Sequence, residues 1–344
     1  MPAPSNATQR RALIVTGEAS GDLHGANLIR AARTIDPELS FFGVGGKRME
    51  AEGCDILFRG EDLAVVGLVE VAAHFPAIYK AFKQLEALLK GARKPDVLIL
   101  IDFPEFNLRL AAKAKAAGVP VLYYVSPQVW AWRRGRVKTI AQRVDRLAAI
   151  FPFEPKLYEG LDIDVDYVGH PLVADVKLTL DRDAYLTRHG LDPQRPVVGL
   201  FPGSRRSELK YIFDTIADTA RLLRRQRPQI QFLLPVAPSL KHTSFHERLL
   251  GTGLEIKMVQ DNIYDTARAC DAVVSVSGTV TLQIALAGTP LAILYQMNPI
   301  TYAIGKRLVK VPHIGLVNIV AGKSVVREFI QNDATPEAIG AEVL

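Results

Sequence analysis

Short apolar runs recur along this chain, and each is followed by a stretch with helical spacing. The first half places such runs at Ala12–Thr16, Val97–Ile101, Val121–Val125, Leu147–Ile150 and Val165–Val168. The second half repeats the rhythm at Val197–Phe201, Gln231–Pro235, Glu255–Met258, Ala272–Val276 and Leu291–Leu294. Helical patterns fill the intervals, among them Ile78–Lys90, Leu108–Ala117, Glu208–Arg225 and Val280–Ala287. This alternation is the signature of βαβ units and parallel sheets. A polar stretch from Asp175 to Pro196 interrupts it once. The chain has 344 residues, and domains hold roughly 100–200. The expected fold class is therefore α/β, with two doubly wound, Rossmann-like domains over residues 1–175 and 176–344. In open α/β sheets ligands bind beyond the carboxyl ends of the strands. Two such domains facing each other would turn those loops into one cleft, so the loops after strands are where chemistry is to be sought.

Charge and composition narrow the partners. A net charge of +6 suits nucleic acid, a phosphate-bearing small molecule or an anionic membrane surface equally. The basic residues are scattered and no nucleic-acid motif accompanies them, which sets nucleic acid aside. No run approaches the ~20 apolar residues that span a bilayer. The polar segment Met1–Arg10 lacks the apolar centre of a signal peptide, so the expected location is cytoplasmic. Cys54 and Cys270 lie far apart. They make neither a disulfide framework nor a metal cluster, and both read as small core residues.

Six segments carry candidate chemistry. Gly17-Glu18-Ala19-Ser20-Gly21-Asp22 follows the first strand. Ser20 is placed to cap the next helix, and Glu18 and Asp22 are more polar than a plain βα turn needs. Asp102 follows the apolar strand Val97–Ile101. A carboxylate there faces the ligand crevice, where burial raises its pKa and suits it to general-base work. A helix cap explains it equally well. Tyr123–Arg134 holds both tryptophans beside arginines, a pattern for stacking on sugar, for covering acyl chains or for core packing. Gly203-Ser204-Arg205 opens a long helix, where free amides and a guanidinium attract phosphate. Ser277-Gly278-Thr279 repeats that layout and supplies a second anion cradle. Two cradles without a lysine-bearing P-loop suggest a nucleoside diphosphate that leaves. His170, in Gly169-His170-Pro171 near the domain junction, is equally readable as structural or as facing the cleft.

Two other features read more blandly. Asp162, Asp164 and Asp166 alternate along a strand and share one face, which solvent exposure explains better than a metal site. Val65–Val69, with Phe75, Ile78, Tyr79, Lys80, Phe82 and Lys83, mixes apolar and basic residues. It fits a membrane surface or a helix packed on its own domain.

Taken in order, these motifs resemble the lipid-A-disaccharide synthase family. The resemblance runs from about Arg11 to the last residue. It rests above all on the Gly-Glu-x-Ser-Gly-Asp run at 17–22 and the Ser-Pro-x-Val-Trp-Ala-Trp-Arg run at 126–133. It implies a GT-B fold and an inverting transfer that needs no metal or other cofactor. The implied donor is UDP-2,3-diacylglucosamine and the acceptor 2,3-diacylglucosamine 1-phosphate (lipid X). The implied products are a β-1,6 disaccharide and UDP, made at the cytoplasmic face of the inner membrane by a peripheral enzyme. A homodimer is compatible with it. Asp102 is then the expected base, with Glu18 and Asp22 beside it. Gly203, Ser204, Arg205, Ser277, Gly278, Thr279, Gln283, Asn318 and His170 are the expected substrate contacts. The family usually carries Glu where Gln283 stands, and an amide keeps only one acceptor oxygen. Thr335-Pro336-Glu337 reads as a helix start. The family normally continues through further helices, so a shortened C-terminus is expected.

Overall fold

The computed structural model describes residues 10–63, 68–132, 135–203, 206–236, 245–308 and 311–344. The chain divides into two compact units, Met1–Pro171 and Leu172–Leu344.

The first unit is built on seven strands: β1 (Arg11–Thr16), β2 (Ser40–Gly45), β3 (Asp55–Arg59), β4 (Val97–Ile101), β5 (Val121–Tyr124), β6 (Arg146–Ala149) and β7 (Asp164–Tyr167). They lie in the order β3-β2-β1-β4-β5-β6-β7, and every pairing is parallel. The register of the central pair runs from Ala12 beside Val97 to Thr16 beside Ile101. Strand β4 explains its own position. Leu98, Leu100 and Ile101 are fully buried, and such a continuous apolar run needs cover on both faces. Leu85 and Leu110 supply part of that cover from the helices Leu68–Leu88 and Pro104–Ala116.

The second unit has six strands: β8 (Val197–Phe201), β9 (Gln231–Pro235), β10 (Ile256–Val259), β11 (Ala272–Val276), β12 (Leu291–Tyr295) and β13 (Glu328–Ile330). Their order, β10-β9-β8-β11-β12-β13, repeats the logic of the first sheet, and all pairs are parallel. In each sheet the chain starts at the centre, runs outward to one edge, then returns to the centre and fills the other side. The reversal makes a topological switch point, between β1 and β4 in one unit and between β8 and β11 in the other.

Strands β2, β3 and β13 were not expected from periodicity. Strand β5 ends at Tyr124, because Val125 turns into the left-handed region with φ 57°. The first helix, Ala19–Ile35, is entered at Glu18, so Ser20 lies inside it and does not cap it. The expected helix start near the C-terminus is present. The Thr335 side chain accepts a hydrogen bond from the Ala338 amide ahead of the helix Pro336–Val343. Asp164 and Asp166 lie on edge strand β7 and pair with Arg146 at 3.8 and 3.3 Å. Charges on an edge strand discourage pairing with other chains. Cys54 and Cys270 are buried free thiols. Among the described residues, no helix is long and apolar enough to cross a membrane.

Candidate active site

Asp102 stands at the switch point of the first unit, one residue past β4. Its backbone is left-handed, with φ 47°, and Phe103 (φ 50°) and Val125 (φ 57°) share that conformation. Such geometry is costly for residues with a Cβ and persists only where surroundings enforce it. Here the enforcement is explicit. The Asp102 amide donates to the Val125 carbonyl at 3.2 Å. The Asp102 carbonyl accepts from the Tyr123 hydroxyl at 2.6 Å and from Asn107 Nδ2 at 2.7 Å. Asn107 is fully buried, and its Nδ2 also faces the carbonyls of Val15 and Ile101, each at 3.3 Å. One amide thus ties together the ends of β1 and β4 and the residue that follows β4.

The carboxyl group so held is mostly buried. Burial first, and the negative charge of Glu18 second, push its pKa from the ordinary 3.8 up to about 6; a main-chain hydrogen bond at Phe103 opposes them. Asp102 lines a cavity of about 250 Å³ with Val125–Val129, Arg136, Ile150 and Phe151. The cavity lies beyond the carboxyl ends of β4, β5 and β6. Its wall at Ile150 and Phe151 is fixed from behind by Glu154, which is 1% exposed and accepts from both amides at 3.0 Å. Trp130, buried as expected of one of the tryptophans, stands edge-on to Phe151 and Phe153 at 5.9 and 5.3 Å. His170 packs against Phe151 at 5.4 Å, so one ring separates it from the cavity. The side chain of Trp132 lies outside the described residues.

Glu18 and Asp22 part company. Glu18 is exposed and makes no side-chain cap. Its charge reaches Asp102 across the switch point. Asp22 turns to the neighbouring loop, where its carboxylate accepts from the amides of Gly46, Arg48 and Met49 at 2.7, 3.1 and 3.1 Å. It caps the helix Lys47–Ala51 from outside. Gly46 is required there, since a Cβ would stand 2.6 Å from the Asp22 carboxylate.

In the second unit, Gly203 follows β8 in the left-handed conformation (φ 81°). It leads toward the helix Arg206–Gln226, while Ser204 and Arg205 lie outside the described residues. Ser277 follows β11 and donates through its hydroxyl to the Ile314 carbonyl at 2.8 Å. Gly278 and Thr279 begin the helix Thr279–Leu286. The loops after β8 and β11 therefore flank the second switch point. Gln283, half-buried on that helix, neighbours the Tyr264 hydroxyl; burial raises the Tyr264 pKa and Gln283 opposes the rise.

Asn318 differs from its expected part. It is fully buried. Its Nδ2 donates to the Val326 carbonyl and to Glu328 Oε1, both at 2.8 Å. Its Oδ1 accepts from the amides of Val325 and Val326 at 2.9 and 3.0 Å. Glu328 in turn accepts from the amides of Ile314 and Gly315, each at 3.0 Å. Asn318 therefore anchors the segment whose Ile314 carbonyl holds Ser277.

Sequence reasoning gave no individual role to Asn107, Tyr123, Glu154 or Arg136. Asn107 and Tyr123 lay inside runs singled out for other residues. Arg136 lies just past the Trp-Arg-Arg run, and only the fold carries it back to Asp102.

The family model for lipid-A-disaccharide synthetase matches residues 12–344. The lipid-A-disaccharide synthase of Syntrophotalea carbinolica is 64% identical over 97% of this chain and 85% of that protein. Its counterpart from Geobacter sulfurreducens is 53% identical over 98% and 87%, and that from Coxiella burnetii 42% identical over 98% and 88%. Among solved structures, a glycotransferase of kitacinnamycin aligns with a TM-score of 0.63 at 14% identity, covering 97% of this chain and 89% of that one. The UDP-GlcNAc 2-epimerase of Neisseria meningitidis, bound to UDP-GlcNAc, aligns with a TM-score of 0.59 at 12% identity, covering 91% and 90%. At such identities the structural likeness concerns the fold, which is GT-B.

Proposed function

Because the chain belongs to the lipid-A-disaccharide synthase family of glycosyltransferases, we propose that it joins 2,3-diacylglucosamine from UDP-2,3-diacylglucosamine to 2,3-diacylglucosamine 1-phosphate. The new bond is a β-1,6 linkage formed with inversion, and UDP is released. The observation that carries this reading is the strained, sheltered Asp102 carboxyl, with a pKa of about 6, lining a cavity at a switch point. Near neutral pH such a group is mostly ionised yet still basic enough to take a proton in the transition state.

In the proposed reaction Asp102 removes the proton from the acceptor 6-hydroxyl. That oxygen attacks the anomeric carbon as the bond from that carbon to the UDP oxygen breaks. Arg205 and the helix starts near Ser204 and at Gly278–Thr279 stabilise the departing diphosphate, with Gly203 and Ser277 shaping the two loops. Glu18 tunes Asp102 through its charge, and Asp22 positions the loop at Gly46. His170 backs the cavity wall through Phe151. Asn318 acts through the segment it anchors, and Gln283 faces the donor. The first unit is the acceptor side and the second the donor side.

The same reading places the enzyme on the cytoplasmic surface of a membrane. The helix Leu68–Leu88 buries Ala81 and Leu85 and leaves Phe75 and Tyr79 exposed and stacked at 6.1 Å. Lys83 lies 5.8 Å from the Tyr79 ring. Exposed aromatics beside a cation suit the headgroup boundary. Residues 64–67 of the apolar segment ahead of it lie outside the described residues.

The test is a transferase assay with both substrates, beside an Asp102→Ala control. Disaccharide from the parent and none from the variant is the expected result. Equal product from both would remove Asp102 from its role, and no product from either would overturn the reaction. A second prediction concerns Gln283. Restoring the carboxylate with Gln283→Glu is expected to tighten UDP binding roughly tenfold, since charge-assisted hydrogen bonds exceed neutral ones by about that much. An unchanged calorimetric affinity would take residue 283 out of the donor site.

A further inference from the structure

Arg136 is the one cation among the described residues lining the cavity that holds Asp102. It opens the helix Arg136–Arg143, which has no side-chain cap. The Arg136 side chain is only 20% exposed, and its guanidinium is held by Glu105, whose side chain is 65% exposed. The pair is lopsided, with a sheltered cation tied to a carboxylate that reaches in from solvent. Ion pairs of that exposure contribute little. A guanidinium offers a fork of donors that matches phosphate at least as well as carboxylate. Arg136 is also not among the groups that set the acidity of Asp102, which are burial, Glu18 and the main chain at Phe103.

We propose that Arg136 is the acceptor-recognition residue of this cavity. It exchanges Glu105 for the phosphate of an anionic sugar phosphate as that molecule enters beside Asp102. The proposal rests on the reading of the cavity as the acceptor site. It also assigns Glu105 a part: when a neutral acceptor enters, nothing displaces the carboxylate, and the guanidinium stays turned away. Selectivity for the phosphorylated acceptor then arises from a competing internal partner as well as from attraction.

The experiment compares the parent enzyme with Arg136→Ala, Arg136→Lys and Glu105→Gln. Each is assayed with 2,3-diacylglucosamine 1-phosphate and with the same lipid lacking the phosphate. Each is also titrated calorimetrically with glucosamine 1-phosphate in the absence of donor. Arg136→Ala is expected to raise KM for the phosphorylated acceptor about 10- to 100-fold, the worth of charge-assisted hydrogen bonds. The loss should be selective, with activity on the neutral acceptor falling far less than activity on the phosphorylated one. Arg136→Lys recovers only part of the loss, because an ammonium cannot make the bidentate contact. Glu105→Gln moves the other way and tightens glucosamine 1-phosphate, a direction that a folding defect cannot produce. Equal losses on both acceptors, or unchanged glucosamine 1-phosphate affinity in Arg136→Ala, would overturn the proposal. If the parent makes no disaccharide, the transfer reading fails while the titration still decides the role of Arg136.

Discussion

Replacing Asp102 by Asn is expected to lower kcat by about 10²–10⁴-fold, the usual worth of a positioned general base, and at the same time to make the protein more stable. The second half follows from linkage. The folded-state pKa is about 6 and the ordinary value 3.8, so the folded chain holds a proton that the unfolded chain has lost between those values. Stability conferred by the neutral carboxyl is full below pH 3.8 and is lost as pH rises to 6. Above pH 6 the parent carries a penalty of about 3 kcal/mol. Asn mimics the neutral form at every pH and accepts the left-handed conformation more readily than most residues. Urea denaturation at pH 8 should therefore show a higher midpoint for Asp102→Asn, and at pH 4 the gap should shrink. A lower midpoint at pH 8 would refute the buried-base account. In the parent, kcat/KM should fall as pH drops through about 6. Glu18→Gln removes a charge that raises the Asp102 pKa, so that acid limb should move to lower pH.

The second large effect is expected at Asn318, in the change to Asp. The two side chains are nearly the same shape, but the site needs an amide. Its donors meet the Val326 carbonyl and Glu328, and its oxygen takes two main-chain amides. A carboxylate would keep the acceptors, lose both donors and face Glu328 with like charge in a fully buried place. A cost of about 3–5 kcal/mol follows, as for other uncompensated buried charges, visible as a lower denaturation midpoint. UDP affinity should fall with it, because Glu328 and Asn318 hold the segment that orders Ser277. An unchanged midpoint with UDP binding lost would instead make Asn318 a direct substrate contact.

Much of this architecture was legible from pattern. Strands β1, β4, β8, β9, β11 and β12 are runs whose neighbours on both faces are apolar, and such runs announce themselves. Strand β2, Ser-Phe-Phe-Gly-Val-Gly, carries two glycines and reads locally as a turn. Strand β3 ends in charge at a sheet edge, and β13 is three residues long. Only pairing with neighbours makes these three into strands. At the site, the position of Asp102 beyond β4 was legible because ligand crevices open after parallel strands. Its supports were not, because the bond from Asn107 to Val15 spans 92 positions and leaves no periodic trace. Asp22 and Asn318 show the converse limit. Both were read as facing substrate; in the fold the Asp22 carboxylate accepts from main-chain amides, and Asn318 is held by main-chain groups and Glu328.

The three left-handed residues around the cavity bear on how this enzyme responds to engineering. Each position costs on the order of 1–3 kcal/mol, and Phe103 and Val125 have no part in the proposed chemistry. A thermal-shift screen of random variants would reward Gly or Asn at either position wherever the relief of strain exceeds the packing lost, since Phe103 stacks on Phe106 at 5.1 Å and both side chains pack against buried cores. Those winners would let Asp102 wander from its aim. Selection for heat resistance alone would thus drift toward sluggish catalysts, and a campaign for a robust enzyme needs turnover as a counter-screen at positions 102, 103 and 125.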